Sequence, residues 1–303
     1  MSKNRITAFE LRDILGTLEA HNEPSKKEKL EDVSDGPGSL LTGMSGRRFR
    51  TLVSELVSHM DNRCVYMEIG IYQALTCFVA GFLNPDKTIV GVDDYSQFDS
   101  GGQNYNLIKS AIHDNKLSNI QIYNKGFEEF LSSNTDNYKE KVGIFFFDAA
   151  HDYRSQLLAL FFARDFLANG GVIIVDDTNY PHIRQATADF LEIEPEFKLL
   201  FEAYTGKHPT LGLGPASRWD RFLRRFRYKS AHVRATEEHE RLCREGWWNG
   251  VNLLIHDPLN QVDSLVPNTP TNLTELFRMQ HGFAGCDSRD CKNQLANVSF
   301  NES

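Results

Sequence analysis

From residue 63 onward the chain alternates short, almost wholly apolar runs with longer stretches of helical periodicity, and that alternation decides the fold class. RCVYMEIG, KTIVGVDDY, NIQIYNKG, KVGIFFFD and GGVIIVDD have strand length and are too apolar to be buried on one side only. Between and after them ALTCFVAGFL, NYNLIKSAIHDN, FEEFLSS, RSQLLALFFARDFLAN and HIRQATADFLEIEP repeat apolar residues at helical spacing. FKLLFEAY and GVNLLIHDP add a sixth and a seventh strand. Strands alternating with helices predict an α/β, doubly wound, mostly parallel seven-stranded sheet covered on both faces.

Around this unit lie less regular stretches. GRRFRTLVSELVSHM predicts an amphipathic helix with Phe49, Leu52, Val53, Leu56 and Val57 on one face and Ser45 as its cap. We divide the chain into an N-terminal helix and linker (1–40), the sheet domain (41–257) and a polar tail (258–303). An insertion at about 205–246 precedes the last strand and contains SRWDRFLRRFRYK, whose aromatic spacing favours an amphipathic helix over a nucleic-acid surface. With 303 residues and 41% hydrophobic content the chain can bury a full core, and its net charge of −8 excludes a nucleic-acid binder working through overall charge. The five cysteines have no metal-type spacing, and no apolar run reaches membrane-spanning length. These features predict reduced thiols and a cytoplasmic protein with no membrane partner. The amphipathic segments before residue 58 either dimerise or fold back on the same chain.

The strands end in carboxylates. In a doubly wound sheet ligands sit at the carboxyl ends of the strands, where this sequence places Glu68, Gly70, Asp93, Asp94, Asp148, Asp176 and Asp177. After the first strand, EIGIYQALT offers a glycine for close backbone approach and a helix N-terminus with unpaired amides. Asp93, closing the second strand, can accept from both hydroxyls of a ribose. Asp94 either adds to the same ligand site or caps the next helix. Phe127, after the third strand, either lines the ligand site or belongs to the core. Asp148-Ala-Ala-His151 and Asp176-Asp177 end adjacent strands. Three carboxylates and an imidazole that close suit a hard divalent cation such as Mg2+, Mn2+ or Ca2+. The alternative is that the aspartates only cap helices, Asp148 the one at Tyr153 and Asp176 or Asp177 the next.

EIGIYQALT resembles the first motif of class I S-adenosylmethionine-dependent methyltransferases, with Ala74 where that family usually has a later glycine. The order of strands, D-x-x-H after the fourth and D-D after the fifth, resembles the metal-dependent macrocin-type sugar O-methyltransferases and the related cephalosporin hydroxylase group, over about residues 40–256. That resemblance implies S-adenosylmethionine binding by Glu68, Gly70, Tyr72, Asp93, Asp94 and Phe127, and divalent metal, Mg2+ first, on Asp148, Asp176 and Asp177. It implies His151 as general base, with Asp148 beside it, acting on a hydroxylated small molecule such as a sugar. The family often has glycine in place of Ala149. His182 is the second choice of base. Two other readings are a metal-independent methyltransferase and a non-catalytic cofactor-binding protein on the same fold.

Overall fold

The computed structural model describes residues 43–99, 101–203 and 246–267, together with Ile14. The N-terminal linker, the insertion with its basic and aromatic residues, and most of the polar tail therefore lie outside the described residues. Helix α1 (Arg47–His59) is followed by β1 (Val65–Ile69), α2 (Leu75–Leu83), β2 (Thr88–Asp93), α3 (Asn104–Asp114), β3 (Ile120–Asn124), α4 (Phe127–Ser133) and α5 (Thr135–Tyr138). Then come β4 (Val142–Phe147), α6 (Tyr153–Phe166), β5 (Leu167–Asp176), α7 (Pro181–Ile193), β6 (Phe197–Ala203) and β7 (Val251–His256). The seven predicted strands are all present. They form one sheet in the order β3-β2-β1-β4-β5-β7-β6, in which β7 alone runs opposite to the other six strands.

Strand side chains alternate between faces, so each apolar run feeds two cores. Tyr66, Ile144, Phe146, Ile174 and Leu253 pack with Phe49, Leu52 and Leu56 of α1 and Cys77 of α2. Met67, Phe145, Phe147, Ile173 and Leu254 pack on the other face with Phe130 of α4, Leu160 of α6 and Phe190 of α7. The three consecutive phenylalanines of β4 are thereby divided between the layers, with Phe146 ring-to-ring on Phe49 at 5.1 Å and Phe147 on Phe127 at 5.3 Å.

Some local expectations are corrected. The N-cap of α1 is Gly46 and not Ser45, with no side-chain bond, and the Ser45 carbonyl accepts from the buried Arg50 guanidinium. Helix α6 stops at Phe166, and Leu167, Ala168 and Asn169 join β5, whose first residue pairs with Val142 of β4. The short α5 was not anticipated. Among the described residues no helix is long and apolar enough to cross a membrane.

Candidate active site

The sheet reverses its winding between β1 and β4, and the crevice at the carboxyl ends of these two strands is where the two functional turns meet. Gly70 has φ +88°, and a Cβ there would lie 2.0 Å from the Asp148 carbonyl oxygen and 2.7 Å from Ala149 Cα. The glycine is required by this backbone crossing. The Asp148 amide donates to the Ile69 carbonyl at 2.8 Å, so the acidic turn after β4 is fastened to the turn after β1.

The turn Gly70–Ala74 is held open by unusual backbone. Tyr72 (φ +48°) and Ala74 (φ +61°) are both left-handed without being glycine. Ala74 thus keeps the conformation that a glycine would favour, with its methyl wholly buried and α2 beginning immediately after it without a side-chain cap. Asp93 accounts for the shape: Oδ2 accepts from the amides of Ile71 (2.9 Å) and Tyr72 (2.8 Å), and Oδ1 from Tyr95 (2.7 Å). Burial raises its pKa, against the opposing effect of these three N–H groups. Asp94 is exposed beside it, with Oδ1 accepting from the Ser96 amide, and its Oδ2 lies 3.9 Å from where a Gly126 Cβ would stand. Glu68 lies deeper, 1% exposed, and accepts from Tyr66 Oη (2.6 Å), Cys77 Sγ (3.2 Å) and the Thr76 hydroxyl. Burial pushes its pKa up to about 7 despite these donors. Tyr72 meets the exposed Phe98 edge-on at 6.2 Å, while Phe127 is half-buried against Phe147 and packs on the core.

The four acidic-site residues converge at the same rim. His151 Nδ1 donates to Asp177 Oδ2, and one ligand atom each from Asp148, His151 and Asp177 lie within 4.8 Å of one another. Asp176, at the end of β5, hydrogen-bonds Asp148 through its side chain and takes the Asp177 amide. Desolvation first, then the charges of Asp176, Asp177 and Glu68, hold the Asp148 carboxyl well above the usual carboxylate range. Asp176 is raised likewise by burial and by Asp177. Burial works against a charged His151 ring, but the charge and hydrogen bond of Asp177, with Asp176 and Asp152 adding, raise its pKa.

The aspartates do not cap helices. Asp152 caps α6, accepting from the Ser155 amide at 3.0 Å, and α7 begins with Pro181 after Tyr180 and has no side-chain cap. Asp177 is instead held at φ +57° in a turn closed by the Tyr180 amide donating to its carbonyl at 2.9 Å. Asp176 Oδ1 is buried with no hydrogen-bond partner, an unusual state for a carboxylate oxygen. An oxygen donor set with a buried unsatisfied acceptor is what a hard divalent cation would complete, so these residues fit a metal.

Periodicity did not single out the supports of this rim. His182, the second-choice base, is fully buried, with Nε2 3.0 Å from the His151 carbonyl and its pKa lowered by burial. Arg184 Nη1 donates to the carbonyls of Thr178 (2.6 Å) and Asn179 (3.1 Å). Gly250 (φ +93°) lets the start of β7 pass where a Cβ would stand 2.8 Å from Thr178 Oγ1 and from Asn179 Oδ1. The sequence signals for them were faint: a histidine just after a proline, an arginine one turn into a helix, and a glycine before a strand.

Residues 67–178, which run from β1 to the turn after β5, match the family described as "Methyltransferase domain". The match covers the segment from β1 to the end of β5 and leaves the rest of the chain unmatched. Similar solved structures include an O-methyltransferase from Bacillus cereus in complex with SAH (14% identity, 82% of this chain and 90% of that chain, TM-score 0.44). Another is the O-methyltransferase TomG from Streptomyces achromogenes, involved in tomaymycin synthesis, in complex with SAM (11% identity, 78% and 91%, TM-score 0.46). No curated protein sequence matches the chain. The matched segment contains both turns described above, the glycine turn after β1 and the carboxylates after β4 and β5.

Proposed function

We propose that the protein is an S-adenosylmethionine-dependent O-methyltransferase assisted by a divalent metal, and that its acceptor is a hydroxyl of a sugar or other polyol-bearing small molecule. The observation that carries the metal part is the convergence of Asp148, His151 and Asp177, with Asp176 hydrogen-bonded to Asp148 and the helix-capping roles filled by other residues or by none. The cofactor part rests on the family match over residues 67–178 and on the turn Gly70–Ala74, with Tyr72 at its edge, Asp93 and Asp94 opposite for the ribose, and Phe127 near the adenine position. Glu68 acts from beneath, fixing the start of α2 through Thr76 and Cys77.

Asp148, Asp176 and Asp177 would hold the metal, probed first with Mg2+, and when bound it would lower the pKa of a chelated acceptor hydroxyl. The chain's own residues supply the rest. Asp177 accepts from Nδ1 of His151 and so fixes the neutral tautomer in which Nε2 accepts a proton. The side chain is one-third exposed, and Nε2 is the ring nitrogen that Asp177 does not engage. As the acceptor oxygen attacks the methyl carbon and the carbon–sulfur bond breaks, His151 takes the hydroxyl proton.

Calorimetric titration with S-adenosylmethionine and S-adenosylhomocysteine, with and without Mg2+, tests the reading first. Both should bind saturably. Asp177→Asn should then abolish turnover of a hydroxylated acceptor while leaving cofactor affinity nearly unchanged, and a chelator should reproduce that loss. Turnover that survives both would remove the metal from the mechanism.

A further inference from the structure

Two turns from different strands carry the acidic site, and a third group spans them. The turn after β4 brings Asp148 and His151; the turn after β5 brings Asp176 and Asp177. His182, in the first turn of α7, has its ring stacked on Tyr180 (centroids 5.8 Å apart, planes at 15°), and the Tyr180 amide closes the Asp177 turn. Its Nε2 reaches the His151 carbonyl at 3.0 Å, and the ring is wholly removed from solvent. A carbonyl only accepts, so Nε2 must carry the proton. One imidazole therefore rests against the Asp177 turn through its ring face and grips the His151 turn through its edge.

We infer that His182 is a positioning residue: its Nε2–H holds the His151 backbone so that the His151 ring meets Asp177, without His182 touching substrate or metal. The inference deepens the functional reading above and rests on it for its kinetic consequence, although the geometric part can be tested alone. A buried histidine whose only task was to fill space could be exchanged for another ring of similar size. Here the donor matters, because without it the His151 carbonyl loses its partner and the turn is free to rotate the ring away from Asp177.

The test uses the full chain with two substitutions. His182→Phe keeps a ring to stack on Tyr180 and removes the donor; His182→Gln loses the ring and places an amide N–H near the position of Nε2. In protein labelled with 15N-histidine, long-range proton–nitrogen spectra should show wild-type His182 protonated at Nε2. His151 should carry a hydrogen-bonded Nδ1 proton. His182→Phe should shift His151 to the signature of an imidazole exchanging with solvent, and His182→Gln should restore it. In turnover, His182→Phe should lower kcat by about 10- to 100-fold with little change in KM for S-adenosylmethionine, with His182→Gln recovering most of the loss. An unchanged His151 spectrum in folded His182→Phe overturns the proposal. So does a wild-type His182 in the Nδ1–H tautomer, which needs no variant and holds even if His182→Phe fails to fold. If no methyl transfer is found with any acceptor, the functional reading fails while the spectra still decide the role of His182.

Discussion

Glu68 is a carboxyl group that the fold keeps close to neutral. Three donors point at it, yet burial dominates and its pKa rises from 4.5 to about 7. The folded state therefore binds a proton that the unfolded state has already lost between those two values. Stability is fully present below pH 4.5 and is lost as pH rises through about 7, by about 3 kcal/mol at this site. Glu68→Gln removes that dependence. Urea midpoints at about pH 5 and about pH 8 should differ less in the variant than in the wild type, and equal slopes would show that Glu68 does not titrate in this range. At this scale the sequence was a partial guide. Acidic residues at strand ends were legible because a strand ends where apolar alternation stops. The reason for Gly70 was not, since the atom that excludes its Cβ belongs to Asp148, far along the chain. Nor was the burial of His182, which depends on how α7 seats against the turn after β4.

Among the elements, the strands and most helices followed from periodicity, and the errors fell at their ends. Local pattern does not reveal which polar group a terminus will use. The alternative reading that gave α6 an aspartate cap named Asp148, whereas Asp152 is the residue whose side chain reaches the Ser155 amide. Asp152→Ala should lower stability by about 1 kcal/mol, as cap removal does elsewhere. Thermal unfolding followed by circular dichroism measures it, and no change would mean that solvent serves the free amides equally well. The loss should be local to α6, because the bond from the Asp148 amide to Ile69 does not pass through this cap.

Across the whole molecule, the sheet is unevenly protected. Strands β1 and β4 lie at its centre with helices on both faces, whereas β3 is an edge strand whose residues are mostly exposed or half-exposed. The opposite edge, β6, gains a further contact, since the Leu265 amide donates to Leu199 at 2.8 Å and the Leu199 amide to Ser264 at 3.0 Å. Native-state hydrogen exchange should find β1 and β4 slowest and β3 fastest among the strands, with β6 slower than β3. Faster exchange in β6 than in β3 would contradict this account of the two edges. The number of strands could be read from the sequence. That β7 runs opposite to its neighbours could not, because its apolar run looks the same in either direction.

That reversed strand has one more effect. Because β6 and β7 are antiparallel, Ala203 and Val251 are register partners, and Val251 also pairs with Asp176. The connection between them leaves and returns at neighbouring points on the acidic rim. Chain joining two ends already fixed side by side is lengthened cheaply, since doubling a closed loop adds only about 0.6 kcal/mol of entropy cost. Sequence ahead of Gly246 can therefore be exchanged for segments of other sizes while the pairing of Asp176 with Val251, and Gly250 against Thr178 and Asn179, stay in place.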